Sequence, residues 1–313
     1  MSRIRSVTIL TTTGLTMQFG SQRALDTVSI EVPNGVTGLV GANGAGKTTL
    51  MSVALGLRAP TTGTVTVLGL DPGRDARELR ARVGYGPERN VLPEDMPAFD
   101  FVKHLAEVRG MPRAEARGRA SDVLWLVGLG EERFRPIGTM STGQRQRVKL
   151  AQAIAADPSL VLLDEPTDGL DPVQRDEMLA LIKQISRDYQ IDVLLSSHLL
   201  EEVERVCDSI VALDAGRLVV QGPLETLVGD TQTVVVELVE IDDRPGSVDA
   251  VEARLSAAGL NVRRELSQLR VTGDDRRTTL DTIRDAVAAE RARLRRIEVG
   301  RRSLEDLFIE VPA

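Results

Sequence analysis

Over the first third of the chain, apolar residues come in short runs parted by turn signals. Leu15–Phe19, Val28–Val32 and Val36–Val40 have the make-up of strands, separated by Gly20-Ser21 and by Pro33-Asn34-Gly35. The period then changes: in Lys47–Leu57 the residues Leu50, Met51, Ala54, Leu55 and Leu57 fall at helical spacing. Ala59-Pro60-Thr61-Thr62-Gly63 breaks the chain before Val65–Leu68 resumes as strand. Residues from about 91 to 156 read as helical, with Phe99–Arg109 and Ala114–Val127 parted by Gly110-Met111-Pro112. Strand signals return at Leu160–Leu163, Val193–Ser196 and Ile210–Leu213, with Pro172–Tyr189 and Leu199–Val206 as helices between them. The alternation predicts an α/β fold, a parallel core with a helical insertion, over residues 7–225.

The pattern shifts again near Leu227–Thr231. From there the order is strand (Thr233–Val239), helix (Val248–Ala258), strand (Asn261–Glu265), strand (Gln268–Val271), helix (Thr278–Glu290), strand (Leu294–Val299). This order predicts a small C-terminal α+β domain of ferredoxin-like type over 231–313, closed by a short helix at Ser303–Ile309.

Composition narrows the function classes. At 42% hydrophobic and 27% charged residues, the 313-residue chain has globular rather than disordered character. A net charge of −7 gives no global positive field for nucleic acid, so no nucleic-acid partner is expected. No apolar run reaches the ~18–20 residues needed to cross a bilayer. The opening Met1-Ser2-Arg3-Ile4-Arg5 lacks the apolar stretch of a secretory signal, and a single cysteine, Cys207, suits a reducing compartment. A cytoplasmic location is therefore expected. Lysines occur only at 47, 103, 149 and 183, the other basic residues being arginine, as codon bias in a GC-rich genome produces. Against that background a lysine inside a glycine loop is informative.

That lysine is Lys47. Gly41-Ala42-Asn43-Gly44-Ala45-Gly46-Lys47-Thr48-Thr49 fits the phosphate-loop pattern, and it follows an apolar strand and precedes a helix. Its glycines let backbone N–H groups close around phosphate oxygens, Lys47 can reach the β- and γ-phosphates, and Thr48 offers a hydroxyl to Mg²⁺. Leu160–Leu163 ends in Asp164-Glu165-Pro166. Two carboxylates there either solvate a strand end or, behind a phosphate loop, do chemistry: Asp164 holds Mg²⁺ and Glu165 orients or deprotonates a water.

The spacing of further motifs resembles the ATP-binding cassette (ABC) proteins over about Val7–Gly222. Met140-Ser141-Thr142-Gly143-Gln144-Arg145-Gln146-Arg147 is similar to the family's signature sequence. Asp168-Gly169-Leu170-Asp171 resembles its D-loop, Ser196-Ser197-His198 its switch histidine, and Gly84-Tyr85-Gly86-Pro87-Glu88 its Q-loop. The resemblance implies a P-loop cassette with an antiparallel β subdomain and a helical insertion at about 91–156. It also implies that Gly41, Asn43, Gly44, Ala45, Gly46, Lys47, Thr48 and Thr49 bind ATP. Glu165, His198 and Lys47 would be catalytic, and Thr48, Asp164 and Glu88 would serve Mg²⁺. Ser141, Gly143, Gln144 and Asp171 would meet the nucleotide of a second cassette. Phe19 has two readings, a core strand aromatic or, from its position in the family, a ring stacked on adenine.

Two positions depart from the family pattern. Glu88 stands where the Q-loop has glutamine and cannot donate an amide hydrogen bond when ionised, which predicts altered coupling with activity retained. Thr142 stands for the signature's first glycine and adds a Cβ near the partner's phosphate.

The function implied is an ATPase subunit whose ATP-dependent dimer drives a separate integral membrane permease, at the inner face of the cell membrane. Export follows from the ending Ser303-Leu304-Glu305-Asp306-Leu307-Phe308, similar to the ends of drug- and antibiotic-exporter subunits of the daunorubicin-resistance type. A soluble cassette ATPase of translation or DNA maintenance is the alternative. Such proteins carry two cassettes or coiled-coil arms, and this chain shows neither. A non-hydrolysing regulatory module is a third reading, and the presence of Lys47, Glu165 and His198 counts against it. Arg291, Arg293, Arg295, Arg296, Arg301 and Arg302 read as a solvated strand and turn. Cys207 and Trp125 read as core.

Overall fold

Continuous apolar runs, rather than alternating ones, mark strands that are covered on both faces. In the computed structural model, which describes residues 8–88, 92–239, 246–265, 268–302 and 304–305, those runs build the central sheet of the first of two units. The chain divides after Leu224.

In chain order, the first unit runs β1 (Thr8–Phe19), β2 (Gln22–Pro33), β3 (Val36–Val40), α1 (Lys47–Ala54), β4 (Thr62–Val67), α2 (Ala76–Arg82) and β5 (Val83–Gly86). Three helices follow, α3 (Ala98–Val108), α4 (Arg113–Leu126) and α5 (Thr142–Ile154). Then come β6 (Leu160–Leu163), α6 (Pro172–Tyr189), β7 (Asp192–Ser197), α7 (Leu200–Val206), β8 (Ser209–Asp214) and β9 (Arg217–Pro223). One sheet has the order β5-β6-β7-β3-β8-β9, parallel except for the β8–β9 hairpin. The other is antiparallel, in the order β2-β1-β4. Every residue of β3, β6 and β7 is buried. Register pairs Val40 with Ser197 and Leu163 with Leu195, so the carboxyl ends of β3, β6 and β7 leave the sheet along one edge. In parallel α/β sheets that edge is where ligands bind.

β1 is 12 residues long and starts well before the expected Leu15, because the threonines of Thr11-Thr12-Thr13 mask the apolar pattern. Thr12 is nonetheless buried: its hydroxyl donates to the Val28 carbonyl at 2.9 Å and accepts from the Ile30 N–H at 3.2 Å. Sequence patterning also passed over α2, with Leu79 alone buried, and β9, an edge strand of mostly intermediate burial.

Trp125 is a correction. It is 68% exposed, because α4 buries Ala116, Ala120, Val123 and Leu124, and Trp125 lies about 100° round the helix from Leu124. Its ring meets the Arg133 guanidinium at 5.9 Å. Cys207 is buried as expected, and burial pushes its thiol pKa up. A thiol-specific reagent should therefore label the native chain slowly and the denatured chain fast. Rapid stoichiometric labelling without denaturant would contradict this burial.

The second unit comprises β10 (Gly229–Val239), α8 (Ser247–Ala257), β11 (Asn261–Glu265), β12 (Gln268–Thr272), α9 (Arg276–Glu290) and β13 (Arg293–Arg302). Its sheet, antiparallel in the order β11-β12-β10-β13, has the ferredoxin-like arrangement. Val234, Val236, Leu238, Val251, Leu255, Leu269 and Ile283 form its core. Arg293, Arg295 and Arg296 are exposed, and Arg295 pairs with Glu237 at 2.9 Å. The side chains of Arg301 and Arg302 lie outside the described residues, as does all of the expected closing helix except Leu304 and Glu305.

Candidate functional site

β3 stops at Val40 because glycines take over. Gly44 and Gly46 have φ of +87° and +106°, a region that costs residues with a Cβ. A Cβ on Gly46 would also lie 2.6 Å from the Ala24 carbonyl oxygen. Gly46 caps α1 without a side-chain hydrogen bond, so the first N–H groups of that helix face the loop with no side-chain acceptor on them. An open pocket of about 390 Å³ lies against this turn. Asn43, Gly44, Gly46, Lys47, Thr48 and Thr49 line it, together with Phe19, Glu88 and Glu165. Gly41 and Ala45 support the loop from behind: Gly41 accepts a 2.6 Å hydrogen bond from Lys47 Nζ, and the Ala45 carbonyl accepts one from the Gly216 N–H.

Lys47 is 6% exposed, and its Nζ lies 3.2 Å from Glu165 Oε1. The other oxygen of that carboxylate, Oε2, is 2.9 Å from His198 Nδ1. One carboxylate thus meets the phosphate-loop lysine and the histidine that follows β7. Glu165 holds this place with φ +48°, left-handed backbone that is strained for a residue other than glycine. The strain is held by Ser196, whose hydroxyl accepts from the Glu165 N–H at 2.9 Å and donates to Asp164 Oδ1 at 2.7 Å.

Asp164 is 2% exposed, and its second oxygen, Oδ2, is buried without a hydrogen-bond partner among the described residues. Asp164 is not among the residues lining the pocket, as Thr48, Glu88 and its neighbour Glu165 are, but its orphaned oxygen and the Thr48 and Glu88 oxygens are hard donors of the kind that fits Mg²⁺. Among the described residues no three or more His, Cys, Asp or Glu side chains cluster as a metal cage. Burial and the nearby Asp164 and Glu88 carboxylates push the Tyr85 phenol up to about 12, so it stays protonated beside them.

Phe19 is 40% exposed and lines the pocket, which removes the core reading. The Arg58 guanidinium lies 5.0 Å from its ring centre. Ser141, Gly143, Gln144 and Asp171 are not among the residues lining this pocket. Ser141 and Gln144 form a capping box at the start of α5, the Gln144 N–H donating to Ser141 Oγ at 3.2 Å. Asp171 caps α6 by accepting from the Gln174 N–H at 2.9 Å, and a Cβ on Gly143 would meet Gln174 Oε1 at 2.9 Å.

Sequence reasoning missed several polar side chains behind the site. Glu202, 3% exposed, accepts from Thr167 Oγ1 at 2.9 Å and from Ser197 Oγ at 2.7 Å, and pairs with Arg175 at 3.2 Å. Gln146 Nε2 donates to the Asp168 carbonyl, and Lys149 Nζ to the Glu88 carbonyl, each at 2.9 Å. The available signal was a polar residue within an apolar stretch, as Lys149 is between Val148 and Leu150.

A family profile described as "ABC transporter" matches residues 25–168. The chain is 36% identical over 249 residues to the methionine import ATP-binding protein MetN of Mesorhizobium japonicum, covering 78% of this chain and 68% of that one. It is 35% identical to the bacitracin transport ATP-binding protein BcrA of Bacillus licheniformis, over 70% of this chain and 71% of the relative. Against the ABC transporter ATP-binding protein NatA of Bacillus subtilis the identity is also 35%, over 66% and 84%. Among solved structures, cbiO1 of Clostridium perfringens, part of the ABC transporter complex cbiONQ, superposes with a TM-score of 0.65 at 26% identity, over 71% of this chain and 90% of that one. The dimeric cassette MJ0796 with ADP and phosphate reaches 0.62 at 23% identity, a likeness of fold.

Proposed function

The chain belongs to the ABC transporter family as an ATP-binding subunit that hydrolyses ATP, and from that premise we propose that it powers an exporter through the residues gathered at the ends of β3, β6 and β7. Subunits of this family dimerise and work with a membrane permease. The observation that carries the site assignment is the Glu165 carboxylate held between Lys47 and His198 at the rim of the phosphate pocket.

In the proposed cycle the N–H groups from Asn43 to Thr49 wrap the phosphates, and Lys47 exchanges Glu165 and the Gly41 carbonyl for phosphate oxygens. Glu165, freed of its cation, takes a proton from the attacking water while that water's oxygen bonds the γ-phosphorus and ADP leaves. His198, hydrogen-bonded to Glu165 Oε2, keeps the carboxylate aimed. Ser196 fixes the backbone on which it stands. Asp164 and Thr48, with Glu88, would hold Mg²⁺, which when bound would supply charge neutralisation to the phosphates. Ser141, Gly143, Gln144 and Asp171 complete the pocket of a second cassette, which we take to be an identical copy.

Phe19 supports the base. Phe19→Ala should raise KM for ATP roughly tenfold, the usual cost of a lost base–aromatic stack, with kcat nearly unchanged. An unchanged KM would remove Phe19 from the site.

Export is supported by the likeness of the C-terminal ending to drug- and antibiotic-exporter subunits and by the 33% identity over 245 residues to the Nod factor export ATP-binding protein I of Ralstonia nicotianae. Import is the second reading, favoured by the alignment with a methionine import protein over 249 residues. We place the chain at the inner membrane face because subunits of this family work with a membrane permease; no described helix is long and apolar enough to cross a membrane. Tagged Glu165→Gln protein, captured with ATP from detergent-solubilised host membranes, tests the reading. A stoichiometric multi-span protein is expected. Co-capture of an extracytoplasmic solute-binding protein would overturn export. Recovery with ribosomes or DNA would favour a soluble role.

A further inference from the structure

Helix α5 carries a buried cation that the cycle above does not use. Lys149 is 3% exposed, in a stretch of the helix where Val148, Leu150, Ala151 and Ala153 are buried as well. An apolar residue would fill that place without the desolvation cost of an ammonium group. Lys149 Nζ donates to the Glu88 carbonyl at 2.9 Å. Burial lowers its pKa, while the carboxylates of Asp168, Glu88 and Asp164 favour its charged form. Two of these carboxylates belong to the proposed Mg²⁺ site. The third follows Thr167, and its carbonyl is held from the same helix by Gln146.

We infer that Lys149 is a positioning residue for ATP hydrolysis: from α5 it fixes the Glu88 carbonyl, and so sets where the Glu88 carboxylate enters the phosphate pocket. The inference rests on the assignment of Glu88 to that pocket. An acid at position 88 adds negative charge to the site, and Lys149 is a buried cation whose charged form both the Glu88 and the Asp164 carboxylates favour. The same helix begins at the Ser141 cap, about 12 Å away along its axis at 1.5 Å per residue. α5 thus holds the Glu88 segment from its middle and begins at the surface proposed to meet the second nucleotide.

The test is an epistasis measurement on the full chain, with Mg·ATP turnover and equilibrium ATP binding as readouts. Lys149→Met should lower kcat about tenfold while ATP affinity stays within about threefold, the split expected when an effect lies in the chemical step. Glu88→Ala should also lower kcat, and adding Lys149→Met to it should cost less than about twofold more, because the residue through which Lys149 acts is gone. Losses that multiply overturn the inference and leave Lys149 a packing residue. Should Lys149→Met fail to fold, Lys149→Arg keeps the charge at a different reach, and its defect must likewise vanish in Glu88→Ala. Full turnover by Glu88→Ala alone would strike the assignment of Glu88 itself, which that single variant tells apart from a failure at Lys149.

Discussion

Replacing Glu165 with glutamine should lower steady-state ATP hydrolysis roughly 100- to 1,000-fold, the range lost when a general base is removed. The substitution changes charge and hardly shape. Glutamine can keep one contact to His198, and the backbone hydrogen bond to Ser196 is untouched. What it removes is the proton acceptor and the ionic partner of Lys47. In the resting chain Lys47 is shared between Glu165 and the Gly41 carbonyl, so phosphate competes with a carboxylate for it. Glutamine weakens that competition. ATP affinity should therefore hold or rise while turnover collapses, and ATP-bound dimers should accumulate. Steady-state hydrolysis, fluorescent-nucleotide binding and size-exclusion chromatography with ATP read the three quantities. Turnover within about threefold of the parent would mean that another group takes the proton.

The complementary variant, Lys47→Ala, should weaken ATP binding roughly 10- to 100-fold, as expected for loss of one or more charge-assisted hydrogen bonds. It also leaves the Glu165 carboxylate, 8% exposed, with His198 but without its lysine. Two variants thus separate two events at one ion pair. Losing the carboxylate costs chemistry and spares binding; losing the ammonium costs binding first. An equilibrium titration with a fluorescent ATP analogue decides, and affinity equal to the parent would place the phosphates elsewhere.

The two halves of this ion pair were legible in the sequence because each is announced by its neighbours. Lys47 sits in a glycine-rich stretch between a strand and a helix, and Asp164-Glu165 ends an unbroken apolar run. What holds them in place was not legible. Ser196 lies 31 residues beyond Glu165, and its hydroxyl matters through where β7 sets it beside β6. Glu202 and Lys149 lie on helices and are buried because packing closes over them. Patterning failed in the other direction at Trp125, where helical spacing alone did not say which side of α4 faces the core. Thr12 of β1 shows the converse: a hydroxyl satisfied by strand neighbours is as much interior as valine, and only pairing reveals it.

The order of the central sheet also dictates when this protein can become itself. β3, which launches the phosphate loop, is made early but is flanked by β7 and β8, and 157 residues separate Gly35 from the Asp192 side chain that caps its start. At synthesis rates of about 5–20 residues per second that interval is roughly 10 to 30 s. Throughout it, the apolar Val36–Val40 edge and the glycine loop await partners not yet made, while β1, β2 and β4 can already pair with one another. Nucleotide capture is therefore a late event on the ribosome, open only once β8 has emerged. A chain stalled in the middle of α6 would display the phosphate-loop sequence with no sheet to carry it.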